Sequence, residues 1–259
     1  MPSPIEVLMA PESLVIFSLY AFLIAWEYVL PARTLPVVRY WKLSGALSFF
    51  SYFYAATYLP MFWDVYLIDY QLIDLTRLET TKGFLIGFIL FELATYGWHR
   101  CMHRFNFLWL GIHQMHHSAE RLDSFSAFWF SPIGMVAWSA LGSFCLVLVV
   151  GLTPEATILV IYAVTFLAVF THTNIKTPYW LGYIIERPEA HRVHHATQVH
   201  AFNYCEIPVI DMLFGTFNNP KRDVVSTGFH QGSTYRVKDM LMFKDISKTH
   251  EKIENNFNR

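Results

Sequence analysis

Histidines in this chain form three clusters whose spacing suits metal binding. The clusters follow the patterns HxxxH, HxxHH and HxxHH. Their members are His99 and His103, then His113, His116 and His117, then His191, His194 and His195. Residues three and four apart share one face of a helix, so each cluster can direct two or three imidazole nitrogens at a common point. Imidazole binds iron, zinc, copper and nickel. Eight ligands exceed what one tetrahedral zinc ion uses, so the pattern predicts two metal ions.

Other polar residues near the clusters are candidates for supporting roles. His172 closes an apolar segment, where an ionisable side chain is costly unless it is used, so we predict a ninth ligand there. We predict hydrogen bonds that orient the ligands from His200, Asn203, Asp211 and Glu189. Asp211 could instead cap a helix or pair with Arg192. His230 and His250 are predicted to be surface residues without a metal role.

Apolar residues are concentrated in long stretches, as in membrane proteins. Charged residues make up only 15% of the chain, against about 25% in soluble domains. The stretches are Ser13–Leu30, Leu43–Trp63, Gly83–Trp98, Pro132–Leu152 and Ala156–Phe170. A spanning helix needs about 17–25 mainly apolar residues, which the third and fifth stretches reach if they extend into the histidine clusters. We predict an all-α bundle of four or five membrane helices rather than a large soluble bundle.

The charges of two loops predict the orientation of the bundle. The loop 31–42 carries Arg33, Arg39 and Lys42 without an acidic residue, whereas the loop 64–82 carries four acidic and two basic residues. By the positive-inside tendency the first loop is cytoplasmic and the second lies outside. Counting the spans then predicts a histidine-rich, metal-binding cap on the cytoplasmic face of a bacterial inner membrane or the endoplasmic reticulum.

Net charge, cysteines and domain organisation narrow the class of protein. A formal net charge of −1 offers no basic surface, so nucleic acid is not an expected partner. Cys101, Cys145 and Cys205 form no CxxC pair and their number is odd, which argues against a disulfide framework. We predict one domain over residues 1–259, with a histidine-rich core at about 83–217 and an amphipathic interfacial tail at about 218–259.

The clusters and their surroundings resemble the fatty acid hydroxylase and sterol desaturase superfamily of integral-membrane di-iron enzymes. The HxxxH box and the two HxxHH boxes of that family match the three clusters. Further matches are Tyr96 with Trp98-His99-Arg100, Trp109 before the second box, Asn203-Tyr204 after the third box, and Asp211-Met212-Leu213-Phe214-Gly215-Thr216. The family also usually has a histidine between the second and third boxes, and His172 fits that position. The resemblance extends over about residues 83–217.

Three positions depart from the pattern of that family. Residues 128–132 read Phe-Trp-Phe-Ser-Pro, where many members have arginine and histidine before the proline. Glu92 stands where aspartate is common, and Cys205 stands where glycine is usual. None of these departures removes a predicted metal ligand.

The resemblance implies a chemistry and a set of partners. Two iron ions held by the nine histidines would use O₂ to oxidise a C–H bond of a lipid or sterol-like substrate from the bilayer. Hydroxylation is the expected outcome, and desaturation on the same site is the alternative. Zinc could replace iron on overproduction. Electrons would come from a separate reductase or a reduced pterin, because the sequence has no flavin, haem or nicotinamide motif. The aromatic run 125–130 either lines the substrate entrance or anchors the chain at the membrane interface.

Two other functions also use clustered histidines. A membrane zinc hydrolase of the HExxH type needs a glutamate between its histidines as general base, and no cluster here has one. A metal transporter has its sites near the bilayer midplane on broken helices, whereas these clusters lie at the ends of the predicted spans. We therefore favour the oxygenase.

Overall fold

A computed structural model of the chain describes residues 1–248, most of which are helical. The α-helices are α1 (Pro4–Met9), α2 (Pro11–Val29), α3 (Trp41–Leu67), α4 (Thr80–Arg104), α5 (Asn106–Leu108), α6 (Gln114–His117), α7 (Pro132–Ser143), α8 (Pro154–His172), α9 (Pro188–His194), α10 (Pro208–Phe214) and α11 (Val237–Leu241). Two π-helical segments follow α5 and α7, at Trp109–His113 and Phe144–Val149. Short 3₁₀ turns occur at Ile68–Tyr70, Ser124–Ser126, Tyr179–Tyr183 and Ser233–Tyr235. Two-residue strands β1 (Ile73–Asp74) and β2 (Val150–Gly151) pair in parallel.

Local capping explains where two of the long helices begin. The Ser131 hydroxyl accepts a hydrogen bond from the Gly134 amide, and Pro132 occupies the first turn of α7. Thr153 caps α8 in the same way, through the Ala156 amide, and Pro154 follows it. Proline is favoured in a first turn because its missing N–H would have no partner there.

Three helical stretches are long and apolar enough to cross a membrane among the described residues. They are Pro11–Val29, Pro132–Val149 and Pro154–His172. Helices α3 and α4 have the length but not the same hydropathy. Three candidate spans therefore support a membrane protein, and the count of four or five remains a prediction.

Small residues set the distance between α4 and α8. A Cβ added to Gly87 would lie 2.5 Å from a Leu152 methyl and 3.2 Å from a Val160 methyl. At Gly83 the added Cβ would lie 3.2 Å from Ala156. The contacts advance toward the C-terminus of both helices, from Gly83 with Ala156 to Gly87 with Val160. Helices α4 and α8 therefore run parallel and pack closely. Their C-terminal ends, which carry predicted ligands, therefore lie at one end of the bundle.

Glu27, the one acidic residue in the first apolar stretch, has hydrogen-bond partners that explain its presence there. Its carboxylate accepts hydrogen bonds from the Ser124 amide (2.8 Å), the Ser124 hydroxyl (2.6 Å) and the Asn174 amide (3.2 Å). Ser124 follows the second histidine cluster, and Asn174 follows His172. The N-terminal helix α2 thus holds the two loops beside the predicted ligands.

The oppositely charged loops lie at opposite ends of the bundle. In the first loop, the Ala32 amide donates to the Asn174 carbonyl (2.7 Å) and the Arg33 guanidinium to the Val224 carbonyl (2.6 Å), so this loop packs on the histidine-rich cap. The second loop contains β1, which pairs with β2 at the start of α8, the other end of that helix.

This arrangement gives a direct test of the predicted topology. We expect single cysteines at Arg39 and Val225 to react alike with a membrane-impermeant thiol reagent in intact cells, and a cysteine at Asp69 to react oppositely. All three side chains are exposed, whereas Ala119 beside the second cluster is fully buried and unsuited to labelling. Permeabilised cells, in which all three positions should react, are the control. Equal labelling of 69 and 225 in intact cells would contradict the topology.

In its described part, the C-terminal segment is not one continuous helix. Up to residue 248 it contains the 3₁₀ turn Ser233–Tyr235 and the short helix α11, whose Met240 packs with Trp41 and Met115 in a buried cluster. Ile246 is also fully buried in this cluster. The apolar residues of the segment therefore close the cap. Its interfacial location remains a prediction, and residues 249–259 lie outside the described part.

Candidate metal centre

The nine predicted ligands come together in two adjacent groups. Within each group the nitrogens that could hold an ion all lie within 4.8 Å of one another. The first group is His99, His103, His113, His117 and His194, and the second is His116, His172, His191 and His195. The rings of His117 and His195 stack at 4.2 Å between centroids, so the two groups adjoin.

The HxxHH clusters divide between the two groups. From the second cluster, His113 and His117 belong to the first group and His116 belongs to the second group. From the third cluster, His194 belongs to the first group, and His191 and His195 belong to the second group. Neighbouring residues of a helix differ by about 100° around its axis, because a turn has 3.6 residues. Each HxxHH cluster therefore aims two of its three rings at one group, within the two or three expected, and its remaining ring belongs to the other group.

A π-helical segment leads into the second cluster. It covers Trp109–His113, and α6 continues from Gln114. Such wider turns are rare and often occur at functional sites. The segment is anchored by the Ser131 hydroxyl, which donates to the Gly111 carbonyl at 2.7 Å. The start of α7 is thus connected to the turn that carries His113.

Backbone carbonyls determine which nitrogen of three ligands carries the proton. The Nδ1 atoms of His99, His172 and His194 lie 2.9, 2.7 and 2.7 Å from the carbonyl oxygens of Tyr204, Ala168 and Phe202. A carbonyl only accepts, so in each ring Nδ1 is the donor, and the neutral ring then has a bare Nε2. Ligands of metals characteristically have their second nitrogen engaged in this way.

The bare nitrogens face one another at distances that suit a shared ion. In the first group the Nε2 of His113 lies 2.9 Å from that of His99 and 3.0 Å from that of His117. In the second group the Nε2 of His172 lies 3.1 Å from that of His191. Two nitrogens bound at right angles, each about 2.1 Å from an ion, would be about 3 Å apart.

Several ring nitrogens in the groups have no hydrogen-bond partner. These buried atoms are Nε2 of His103 and His194 and Nδ1 of His113, His116 and His195. A buried polar atom left without a partner costs about 1–3 kcal/mol. The donor set fits two ions of the class that prefers imidazole, since each group brings several ring nitrogens to one point and an ion there would also satisfy the unpaired Nε2 atoms of His103 and His194.

Burial keeps the clustered imidazoles neutral, which metal binding requires. It lowers the pKa well below the ordinary histidine value, and neighbouring histidines lower the pKa further, at His113, His116, His117, His191, His194 and His195. A neutral ring offers a lone pair, whereas a protonated ring offers none. These histidines can therefore bind metal at neutral pH without first losing a proton.

Two of the four predicted supporting residues act through backbone or ring contacts. The Asp211 carboxylate accepts from the amides of Tyr204 (2.9 Å) and Cys205 (3.1 Å), which holds the carbonyl that orients His99. The Nδ1 of His200 lies 3.0 Å from Nδ1 of His117, and burial lowers the pKa of His200 to about 4. Of the alternatives for Asp211, the pairing with Arg192 does not occur.

The other two predicted supporting residues do not contact a ligand side chain. Asn203 donates to the carbonyls of Ala190 (2.9 Å) and Asn218 (2.8 Å), which ties the loop after the third cluster to α9. Glu189 accepts from the amide and hydroxyl of Thr177 instead of bonding to a histidine.

Glu186 flanks the third cluster as Glu189 does, and its carboxylate lies 3.3 Å from Nδ1 of His191. Other contacts of the site have no signature in sequence. The carbonyls of Ala168, Phe202 and Tyr204 are backbone atoms that any residue supplies. His230 is partly exposed and contacts only the Gln231 carbonyl, and His250 lies outside the described residues.

Comparison with known proteins agrees with this site. Alkylglycerol monooxygenase of Danio rerio is 31% identical over 159 residues, 59% of this chain, and the match spans about a third (34%) of that longer protein. No solved structure matches the chain. The sequence profile described as fatty acid hydroxylase matches residues 84–216, just over half of the 259 residues. The resemblance inferred from the histidine boxes is confirmed, and the chain belongs to the fatty acid hydroxylase family.

Proposed function

We propose that this protein is a membrane-bound hydroxylase that inserts oxygen into a C–H bond of a lipid at a centre of two iron ions. The observation that carries the proposal is the pair of histidine groups, in each of which the ring nitrogens lie within 4.8 Å of one another. In the proposed centre, the first group holds one ion and the second group holds the other. When bound, the iron ions supply the activation of O₂, with two electrons delivered from outside the chain.

The surroundings of the histidines support an apolar substrate. A cavity of about 520 Å³ lies among α2, α3, α7 and α8, with Phe128 and Trp138 in its wall. The ring of Trp138 lies 6.4 Å from that of His99 and 6.1 Å from that of Phe130, which in turn lies 5.1 Å from His116. The cavity thus ends beside both histidine groups. Part of the aromatic run 125–130 lines it, as one of the two sequence interpretations expects.

The length of this cavity suits a hydrocarbon chain. Its lining runs along α3 from Phe49 to Asp64, about 22 Å at 1.5 Å per residue. A hydrocarbon chain in one leaflet spans half of the bilayer core of about 30 Å, so a lipid chain of that length fits along this lining. Binding a chain here would exclude water from the reacting carbon and hold it next to the histidines. The relative in Danio rerio is named for alkylglycerols, so we propose an alkyl-chain lipid as the substrate class.

A metal-exchange experiment tests the proposal. We expect the purified protein loaded with iron, given O₂ and a chemical reductant, to convert an alkylglycerol or a component of a total lipid extract. The zinc-loaded protein should bind as much metal and be inactive, because zinc has no redox chemistry. Full conversion by the zinc form in the absence of O₂ would overturn the oxygenase and favour hydrolysis.

The same reaction distinguishes hydroxylation from desaturation. Mass spectrometry should show one oxygen atom from ¹⁸O₂ in the lipid product, either as a hydroxyl on the intact lipid or in the aldehyde released when a hydroxylated ether carbon breaks down as a hemiacetal. A loss of two hydrogens without label in the lipid would assign the site to a desaturase. A protein with His113→Ala, processed in parallel, controls for lipids oxidised by air.

A further inference from the structure

Two of the departures from the family pattern meet in space. Glu92 on α4 and Cys205 in the loop after the third histidine cluster are 113 residues apart in sequence. In the fold the Cys205 Sγ lies 3.0 Å from Glu92 Oε2. Each residue replaces a common one in the family pattern, and the two replacements touch. The contact therefore points to a feature particular to this chain rather than to the shared histidine site.

A third potential ligand completes this group. A carboxylate oxygen of Glu206 lies within 4.8 Å of the Glu92 and Cys205 atoms. Glu92 and Cys205 are 1% and 2% exposed, whereas Glu206 is only partly buried. Glu206 therefore leaves a route by which an ion could reach the group from outside. None of the nine histidines predicted as metal ligands belongs to it.

The group lacks a positive partner in the part of the chain that the structure describes. No lysine or arginine among residues 1–248 forms an ion pair with Glu92 or Glu206. Glu92 Oε1 is buried, and no N–H group or hydroxyl among the described residues donates a hydrogen bond to it; the Glu206 carboxyl lies beside it. Two such carboxyls are costly unless they share a proton or hold a cation. The Cys205 thiol at the same point favours the cation, because thiolate and carboxylate together form a ligand set for transition-metal ions.

We propose that Glu92, Cys205 and Glu206 bind a third divalent metal ion, separate from the histidine centre. One sulfur and two carboxylate ligands select a borderline ion such as zinc or iron(II) rather than magnesium or calcium. Such an ion lies about 2.3 Å from sulfur and about 2.0–2.2 Å from oxygen, so two ligands 3.0 Å apart fit one ion. Binding releases the thiol proton to solvent.

The proposed ion would fasten the third-cluster loop to α4. Tyr204, next to Cys205, supplies the carbonyl that orients His99, and His99 is itself on α4 two turns beyond Glu92. An ion that links Cys205 to Glu92 would therefore hold the helix that carries His99 together with the loop whose carbonyl orients the His99 ring. The role is structural, and the site takes no part in substrate binding.

Cobalt(II) loading of the purified full-length protein tests this inference. Thiolate bound to cobalt(II) gives a charge-transfer absorption in the near ultraviolet that imidazole ligands do not give. We expect three cobalt equivalents and this absorption in the wild-type protein. Cys205→Ser should lose the absorption and one equivalent. The matched controls Cys101→Ser and Cys145→Ser remove the other two cysteines and should retain both.

Substitution of the two carboxylates tests the proposed site independently of Cys205. We expect Glu92→Gln and Glu206→Gln each to bind two equivalents, since the histidine groups stay intact and report correct folding. If Glu92→Gln does not fold, Glu206→Gln at the partly exposed edge still decides the question. Two equivalents and no thiolate absorption in the wild-type protein would overturn the proposal and assign a shared proton to the two carboxylates. Lipid oxidation is not measured, so this outcome is independent of the proposed function.

Discussion

Replacing His113 or His191 with alanine should abolish turnover and remove metal from the protein. The two residues belong to different histidine groups, and each contributes an Nε2 that faces its neighbours at 2.9–3.1 Å. We expect activity to fall by more than the roughly 10–100-fold typical of losing a residue behind the ligands. Metal analysis of the purified variants should show the loss, and the other six clustered histidines should behave alike.

His230→Ala is the matched control for these variants. His230 is partly exposed, makes only a local contact with the Gln231 carbonyl, and faces neither histidine group. It should retain near wild-type rate and metal content. Nearly normal activity in a folded His113→Ala or His191→Ala protein would contradict the assignment of these side chains as ligands.

His172→Ala should lose activity to the same extent as the cluster variants. His172 comes from α8, outside the three clusters, yet its Nε2 lies 3.2 Å from that of His116 and 3.1 Å from that of His191. Its Nδ1 donates to the Ala168 carbonyl in the preceding turn, which turns Nε2 toward the group. Because the second group has only four histidines, loss of one should strongly weaken its hold on metal.

The measurement for His172→Ala combines metal content with rate. Leu159→Ala is the control, since Leu159 lies on the same helix with an exposed side chain and belongs neither to the lining of the proposed substrate cavity nor to the histidine groups. The control should keep both quantities. A folded His172→Ala protein with normal iron content and normal rate would show that His172 has a structural role only.

Much of the site can be predicted from sequence because its signals are local. The helical period relates His99 to His103 and His191 to His195, and an i, i+4 pair shares a face whatever the rest of the chain does. His172 is detectable because an ionisable residue at the end of an apolar helix stands out. Hydropathy likewise identifies the long helices, since the length of a span follows from bilayer thickness.

The division into two groups depends on the tertiary structure. His116 and His117 are neighbours in sequence, yet they join different groups, because the His116 ring meets His172 of α8 and the His117 ring meets His194 of α9. The C-terminal segment shows the same limit. Its sequence predicts an amphipathic interfacial tail, whereas Met240 and Ile246 are buried in the cap. Apolar residues near a membrane protein's end can pack on protein or lipid, and their sequence is the same in both cases.

The sequence by itself determined the family, the helical membrane class and which histidines are candidates for ligands, because these depend on residue type and short-range spacing. Only the tertiary structure decided which nitrogens face each other, that the carbonyls of Ala168, Phe202 and Tyr204 orient the rings, and that Glu92 meets Cys205. Backbone carbonyls carry no residue signature, and contacts between distant segments depend on how closely α4, α8 and the cap pack.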